Sequence, residues 1–397
     1  MKKSTQNSFK KISVLLILSL VLGLTACGSN ETVSQDAVND GTDTALSEST
    51  AATGSGTDIE PVATPKPTPK IDTIKLSCAG DCTIGTDPKF NYSTSLNAMA
   101  ERVGDKAYFF KNVQKYFAND DMTIVNFEGT LTERTTPAIK TFTFKGPPSF
   151  IDIITKGNIE SVAFANNHCR DFLEGSYYDT IDTFKAAGVK YSSYSKVGIY
   201  KIKKEDTGTK IKIGMISVNG LEGYDYSASL IKSGVEKLKK KKCNLIIMSM
   251  HAGIERQYSP DGTQRSLAHY AIDAGCDLVL GHHPHVLHGV EKYKGVFIVY
   301  SLGNFCFGGN SNPSDKDTMI ARPVFTFKDG KLQKKKTVLK LIPCCLSSTM
   351  SYNNYQPTPK KGSERTRLLG KINNMCEALG TTLKDSTGKL TTTVSKK

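Results

Sequence analysis

Side chains that bind metal ions recur in this chain at one kind of place, directly after a short apolar run. Asp81 follows 73–78, and Asn126 and Glu128 close 122–127. Asn166, Asn167 and His168 follow 161–165, His251 follows 244–250, and His282, His283, His285 and His288 follow 277–280. Six of the seven histidines fall in three of these clusters; His269 is the exception. The apolar runs, with others at 211–218 and 296–301, alternate with helical patterns at 92–103, 108–117, 177–187, 231–241 and 264–274. That alternation is the mark of an α/β fold. In open α/β sheets ligands bind outside the carboxyl ends of the strands. The five ligand-bearing loops are therefore expected to converge on one sheet edge. Asp329-Gly330, between 325–328 and 332–341, predicts a two-residue hairpin turn.

The donor types narrow the chemistry. Histidine suits Zn, Mn or Fe, and carboxylate and amide oxygens suit Mn, Mg or Fe. A single carboxylate can bridge two cations, and two ions about 4 Å apart activate a water and clamp the oxygens of the group attacked. Asparagine adds a neutral oxygen without adding charge. His269, inside a helical pattern, and His288, beyond the motif in a strand, read as packed; His282 reads either as part of the site or as a support for its neighbours, and Gly303 as a turn residue.

The ends of the chain carry a different message. Lys2, Lys3, Lys10 and Lys11 precede an apolar run from Ile12 to Leu24, too short to span a membrane, and Leu24-Thr25-Ala26-Cys27 follows. This resembles the lipobox of bacterial lipoproteins. It implies a signal peptide over 1–26, cleavage before Cys27, and acylation of that cysteine with palmitate-like chains that anchor it on the extracytoplasmic face of the cell membrane. Residues 27–71, rich in Ser, Thr, Gly and Asp and ending in Pro-x-Pro repeats, read as a disordered tether. A globular domain is expected over 72–345, then an extension over 346–397 with one helix around 363–379 and a frayed tail. Formal net charge is +14; with four lysines in the leader and six more acids than bases in 28–72, residues 73–397 hold a surplus of sixteen positive charges. Such a domain favours anionic envelope partners over nucleic acid, given its export. The nine cysteines besides Cys27 mostly sit on apolar stretches and are expected to be buried thiols, with Cys344-Cys345 open to a bridge.

Taken in order, Ala79-Gly80-Asp81, Asn126-Phe127-Glu128-Gly129, Ala165-Asn166-Asn167-His168 with Asp171, His251-x-Gly253-x-Glu255, Gly281-His282-His283-Pro284-His285 and Tyr300-Ser301-Leu302-Gly303-Asn304-Phe305 resemble the CapA family of poly-γ-glutamate capsule proteins. That family is similar in turn to calcineurin-type metallophosphoesterases. The resemblance implies a four-layer α/β/β/α sandwich and one or two divalent ions, Mn, Fe or Zn. It implies that Asp81, Glu128 and His285 bind the first ion, that Glu128 bridges, and that Asn167, His251 and His283 bind the second. His168 would act as acid or oxyanion stabiliser, oriented by Asp171, and Asn166, Glu255 and Asn304 would lie at the substrate, although the place of Asn166 in its loop also reads as holding that loop by backbone hydrogen bonds. The implied activity is metal-dependent hydrolysis of an envelope phosphoester or γ-glutamyl bond. The alternative is a non-catalytic subunit that holds polyglutamate or a phosphorylated glycan beside a polymer synthase. Two departures stand out. Thr83 occupies the position where phosphoesterases carry a metal-binding histidine, which weakens the first site. Ala252 stands where the family often has Trp, so an aromatic wall is either missing or supplied by a tyrosine.

Overall fold

The computed structural model describes residues 68–397, Ser386 and Gly388 excepted. The expected leader, the lipidation site at Cys27 and the tether up to residue 67 lie outside the described residues. Among the described residues no helix is long and apolar enough to cross a membrane.

The protein is an α/β sandwich built on an 11-stranded and a 6-stranded sheet. In the larger sheet, Ile71–Thr83, Met122–Phe127, Ser161–Ala163 and Lys190–Ser192 run parallel, each beside the next. In the smaller, Lys210–Asn219, Leu245–His251, Leu278–His282 and Val296–Val299 do the same. The parallel blocks coincide with the apolar runs. Strands covered on both faces need continuous apolar sequence, and Leu245–His251 and Leu278–His282 are buried at every position. Antiparallel strands, whose burial alternates or drops toward the edge, flank the blocks. Gly198–Lys203 and Val290–Tyr293 edge the smaller sheet, and Asp317–Lys328 and Val338–Cys345 extend the larger.

Alternation along the strands creates two apolar layers. Ile74, Leu76 and Cys78 share one cluster with Ile213, Met215, Ile247, Leu280, Phe325 and Leu341, which join the facing surfaces of the two sheets. Residues of the opposite pleat meet helices instead. Phe127 and Phe164 pack edge-on against Phe184 of the Leu173–Ala186 helix, with ring centres 5.0 and 5.3 Å apart. Ile216 and Met248 join Ile231, Leu238 and Leu267 of the Tyr224–Lys240 and Gly262–Ala274 helices. The hairpin forms as expected: Lys328 pairs with Lys331, and Asp329 and Gly330 take φ values of 50° and 72°, the left-handed pair that a tight twisted hairpin requires. All nine cysteines from Cys78 to Cys376 are free thiols, Cys344 and Cys345 included.

The C-terminal segment departs from expectation. Its helix spans Gly362–Glu377, but the tail read as frayed forms two strands. Leu390–Lys396 pairs with Val338–Cys345, and Thr381–Lys384 pairs with it in turn. Leu368, Ile372, Cys376, Leu383 and Val394 enter the core between the sheets. These strands are rich in Thr and Lys and carry little apolar signal of their own. Pairing with an existing edge makes them strands.

The helix is also clamped by charge. Asp317, nearly buried, receives Arg367 at 2.7 Å and Lys371 at 2.8 Å. Burial pushes the Asp317 carboxyl up, but these two cations outweigh it and hold it below the usual aspartate range. A carboxylate with a depressed folded pKa stabilises above its unfolded pKa, and loses that contribution as pH falls through the folded value. Asp317→Asn is therefore expected to lower the melting temperature at neutral pH. The gap from wild type should close as pH drops below the ordinary aspartate range, which melts across a pH series would record.

Candidate metal centre

The carboxyl ends of both parallel blocks meet at one place, so ligands from two sheets face each other. Asp81 pairs in register with Asn126 on one side and Asn304 on the other. In the smaller sheet His251 pairs with His282. Within the larger sheet, the strands carrying Asp81 and Asn304 approach closely because position 80 lacks a side chain: a Cβ on Gly80 would stand 1.8 Å from the Gly303 carbonyl oxygen. That same carbonyl accepts the Asp81 N–H at 2.9 Å.

Glu128 sits at the centre, fully buried. Its Oε1 lies 3.6 Å from His251 Nε2, 3.9 Å from His285 Nε2 and 4.0 Å from His168 Nε2. Neither carboxylate oxygen has a hydrogen-bond partner. Asp81 Oδ2 lies 3.5 Å from His285 Nδ1, and Asp81 Oδ1 lies 3.2 Å from His282 Nδ1, the latter without hydrogen-bond alignment. His283 donates its backbone N–H to Asp81 Oδ2 at 3.3 Å and places Nδ1 3.1 Å from His251 Nε2. His283 and His285 both have left-handed backbone, with φ of 97° and 57°. The Gly-His-His-Pro-His loop thus turns both imidazoles inward at some conformational cost.

Electrostatics follow from this crowding. Burial pushes Glu128 up to about 8 against the pull of His285, with Asp81, Asp171 and Glu255 adding to the rise. Burial presses His285 down, yet Glu128, Asp81 and Asn304 together carry it up to about 10. Burial would raise Asp81, but His282 and His285 hold it well below the carboxylate range. Burial and neighbouring imidazoles lower His251 well below its ordinary value and His283 to about 4.

The donor set fits a divalent cation. The ligand atoms of Asp81, Glu128 and His285 all lie within 4.8 Å of one another, and so do those of Glu255, His283 and His285. Asn167 Oδ1 is buried without a partner, as are both Glu128 oxygens. Buried polar atoms are almost always paired in native proteins, so orphaned oxygens beside a histidine cluster are what a cation would satisfy. Glu255, expected at the substrate, is brought into one of these donor groups as well. Thr83 Oγ1 is also buried without a partner.

Other residues hold this set. Asn304 Oδ1 lies 2.8 Å from His285 Nδ1 and fixes that ring, besides lining the cavity beyond. Asn166, expected at the substrate, has its amide engaged inside the protein. It donates to the Phe127 carbonyl and Asn126 Oδ1, and accepts the His168 N–H. It is a positioning residue for the loop. Asn126, expected among the strand-end donors, instead ties the sheets together: its Nδ2 lies 2.9 Å from Asp81 Oδ1 and 3.3 Å from His251 Nδ1. His269 stacks on Tyr293 and meets Glu291 at 2.9 Å, away from the centre.

His168 and Asp171 form a dyad, with Nδ1 2.7 Å from the buried Asp171 Oδ2. Lys140 Nζ, missed by the sequence reading, reaches Asp171 Oδ1 at 2.8 Å, the Asn167 carbonyl at 2.7 Å and His168 Nδ1 at 3.2 Å. It comes from an irregular stretch with no periodicity to mark it. Burial lowers the pKa of His168, against the pull of Asp171. His168 opens on a cavity of about 600 Å³ whose lining includes Lys89, Arg256, Phe90, Phe142, Phe144 and Phe307. Phenylalanines thus supply most of the aromatic wall, with Tyr355 also in the lining. Ala252 could not supply it, since it is buried where a Cβ on Gly220 would stand 2.7 Å from its own.

These ligand loops all fall within residues 75–309, the stretch matched by the family described as "Bacterial capsule synthesis protein PGA_cap". The chain belongs to that family. Among its relatives is the "PGA biosynthesis protein CapA" of Bacillus subtilis (strain 168), 26% identical over 260 residues, 60% of this chain and 66% of that protein. The "Capsule biosynthesis protein CapA" of Bacillus anthracis is 27% identical over 220 residues, 50% of this chain and 54% of that one. A "Probable polyglutamine synthesis accessory protein" of Mycobacterium tuberculosis is 24% identical over 209 residues, 46% and 55% of the two chains. The chain thus spans just over half to just under two thirds of the length of these relatives. The C-terminal helix and strands lie outside the PGA_cap match.

Binding at the Glu128 cluster should appear as a rise in melting temperature with Mn²⁺, Fe²⁺ or Zn²⁺. At a hundred-fold excess over Kd the stabilisation is about 2.7 kcal/mol. Glu128→Ala and His251→Ala are expected to abolish most of that rise. Elemental analysis of the purified variants gives the matching readout, metal content against wild type.

Proposed function

We propose that this PGA_cap protein is an envelope-facing, metal-dependent hydrolase that cuts a phosphoester or γ-glutamyl bond of an anionic polymer. The observation that carries the reading is Glu128, a buried carboxylate with both oxygens unpaired among His168, His251 and His285; of these, His168 and His285 line a cavity that also holds Lys89 and Arg256. Asp81, Glu128, Asn167, His251, His283 and His285 are the residues that would hold one or two divalent ions, with Glu255 within reach of His283 and His285. A bound ion supplies Lewis acidity to a substrate oxygen and makes water a better nucleophile.

The protein's own groups do the rest. Asp171 accepts from Nδ1–H of His168, which leaves Nε2 facing the Glu128 cluster. The lowered pKa of His168 keeps the ring neutral near pH 7, so Nε2 can take a proton there and return it to a leaving group. Lys140 pins Asp171 and the Asn167 backbone, and so fixes the dyad against the ligand loop. Lys89 and Arg256 offer cations to an anionic substrate, and the phenylalanines offer faces to its apolar or sugar surfaces.

Placement on the membrane through Cys27 is part of the same proposal, motivated by the lipobox-like leader. A second reading has two specific supports. A Mycobacterium tuberculosis relative carries the name of a synthesis accessory protein, and Thr83 offers one weak donor where a histidine would strengthen the first site. In that reading the domain holds polymer beside a synthase without cutting it.

Turnover decides between the two. On bis-p-nitrophenyl phosphate and on polyglutamate, His168→Ala is expected to lower kcat by about 10²–10⁴ while metal content stays at the wild-type level. Asp171→Asn should reduce kcat with little change in KM. Equal rates for wild type, His251→Ala and His285→Ala would rule out the hydrolase. Polymer binding that survives those substitutions and fades with salt would leave the accessory reading standing.

A further inference from the structure

The end of the domain opposite the metal centre is unusually basic. The strand Ile71–Thr83 runs from that end to Asp81, ten residue steps and roughly 33 Å away. Three elements bring exposed lysines together there. The Tyr224–Lys240 helix ends in Lys239 and Lys240 and runs on into Lys241 and Lys242. Lys212 on the neighbouring strand donates to the Lys241 carbonyl at 3.1 Å. The tip of the Asp329-Gly330 hairpin is joined to the same place by Asn244, which donates to the Gly330 carbonyl at 3.0 Å. That hairpin adds Lys328, Lys331 and Lys334–Lys336, all exposed.

Acids at this pole do not balance the lysines. Asp277 is taken by Lys334 at 2.7 Å, Asp121 by Lys204 at 3.0 Å, and Asp72 accepts from the Thr207 hydroxyl. Glu205 lies 3.8 Å from Lys203, and Asp206 and Asp329 are exposed. Among the described residues, Lys210, Lys241, Lys242, Lys328 and Lys331 have no carboxylate within 4.0 Å. Cations at a helix carboxyl end are favoured by the helix dipole. That accounts for Lys239 and Lys240, but not for the hairpin lysines.

The chain also enters the domain at this pole. Lys70 and Asp329 exchange two hydrogen bonds, at 2.9 and 2.8 Å, and Lys70 Nζ donates to the Thr207 carbonyl at 2.9 Å. Whatever precedes Thr68 therefore joins the fold beside the lysines. We propose that this lysine pole docks on the anionic phospholipid headgroups of the membrane to which the chain is tethered, so that the metal cleft faces away from the bilayer. The proposal rests on the envelope placement argued above. A tether that starts at the bilayer brings this end to the surface first, and lysines near an anionic surface gain energy that salt screens. A soluble polymer finds its cations instead at Lys89 and Arg256, beside the catalytic cavity.

The test uses chain 28–397 prepared without lipid, which keeps every residue of both apolar cores, and sediments it with phosphatidylcholine vesicles containing or lacking phosphatidylglycerol. Binding is expected only to the anionic vesicles and should be lost at high salt. Lys241→Gln/Lys242→Gln/Lys331→Gln is expected to weaken it about tenfold or more with an unchanged melting temperature. Lys89→Gln/Arg256→Gln, at the other pole, should bind as wild type. Equal binding to neutral vesicles, or wild-type binding by the triple variant, would overturn the proposal. So would lysine-dependent binding of polyglutamate without vesicle binding. None of these readouts uses metal or turnover, so an inactive protein that still sediments would refute the hydrolase and leave the docking surface intact.

Discussion

The burial of Glu128 is the constraint on which the site depends. A carboxylate removed from water costs several kcal/mol unless charge or hydrogen bonds compensate. Here no hydrogen bond does, and three imidazole nitrogens stand within 4.0 Å of one of its oxygens. Those nitrogens come from loops of two different sheets. Keeping them together requires the sheet edges to close on one another, and Asn126, bonded to Asp81 in one sheet and close to His251 in the other, holds that closure. The left-handed backbone of His283 and His285 is a further cost accepted at the same point.

His285 links the two halves of the centre. It shares a donor group with Asp81 and Glu128 and another with Glu255 and His283, while Asn304 fixes its ring. His168 stands apart, held from behind by Asp171 and Lys140 and open to the cavity in front. The arrangement separates groups that can hold a cation from a group that can move a proton. The fold also separates its poles: carboxyl ends of strands gather acids and imidazoles, and the opposite ends gather lysines.

Much of this was legible in the sequence, for a local reason. A parallel strand covered on both faces must be an unbroken apolar run, and the residue after it must project from the sheet edge. Met122–Phe127 and the strand-end positions of Glu128, His251 and His283 could therefore be read directly. Asp329-Gly330 could be read because few dipeptides accept two left-handed residues in succession. The strands Leu390–Lys396 and Gly198–Lys203 were not legible, because pairing with a distant edge defines them more than their own pattern does. Lys140 was hidden in the same way: its role is a set of contacts with residues 27 to 31 positions away.

The sequence by itself determined which side chains stand at strand ends, that their chemistry suits a divalent ion, and that the chain is of the α/β type. Tertiary structure decided that the candidate donors belong to two sheets, that Glu255 joins them, and that phenylalanines wall the cavity. The difference is one of range. Periodicity and turn preference act over a few residues and leave their mark in any window of the chain. Which strand edges meet, which buried oxygens stay unpaired and which lysines share a pole depend on contacts across hundreds of residues, and those exist only once both cores have formed.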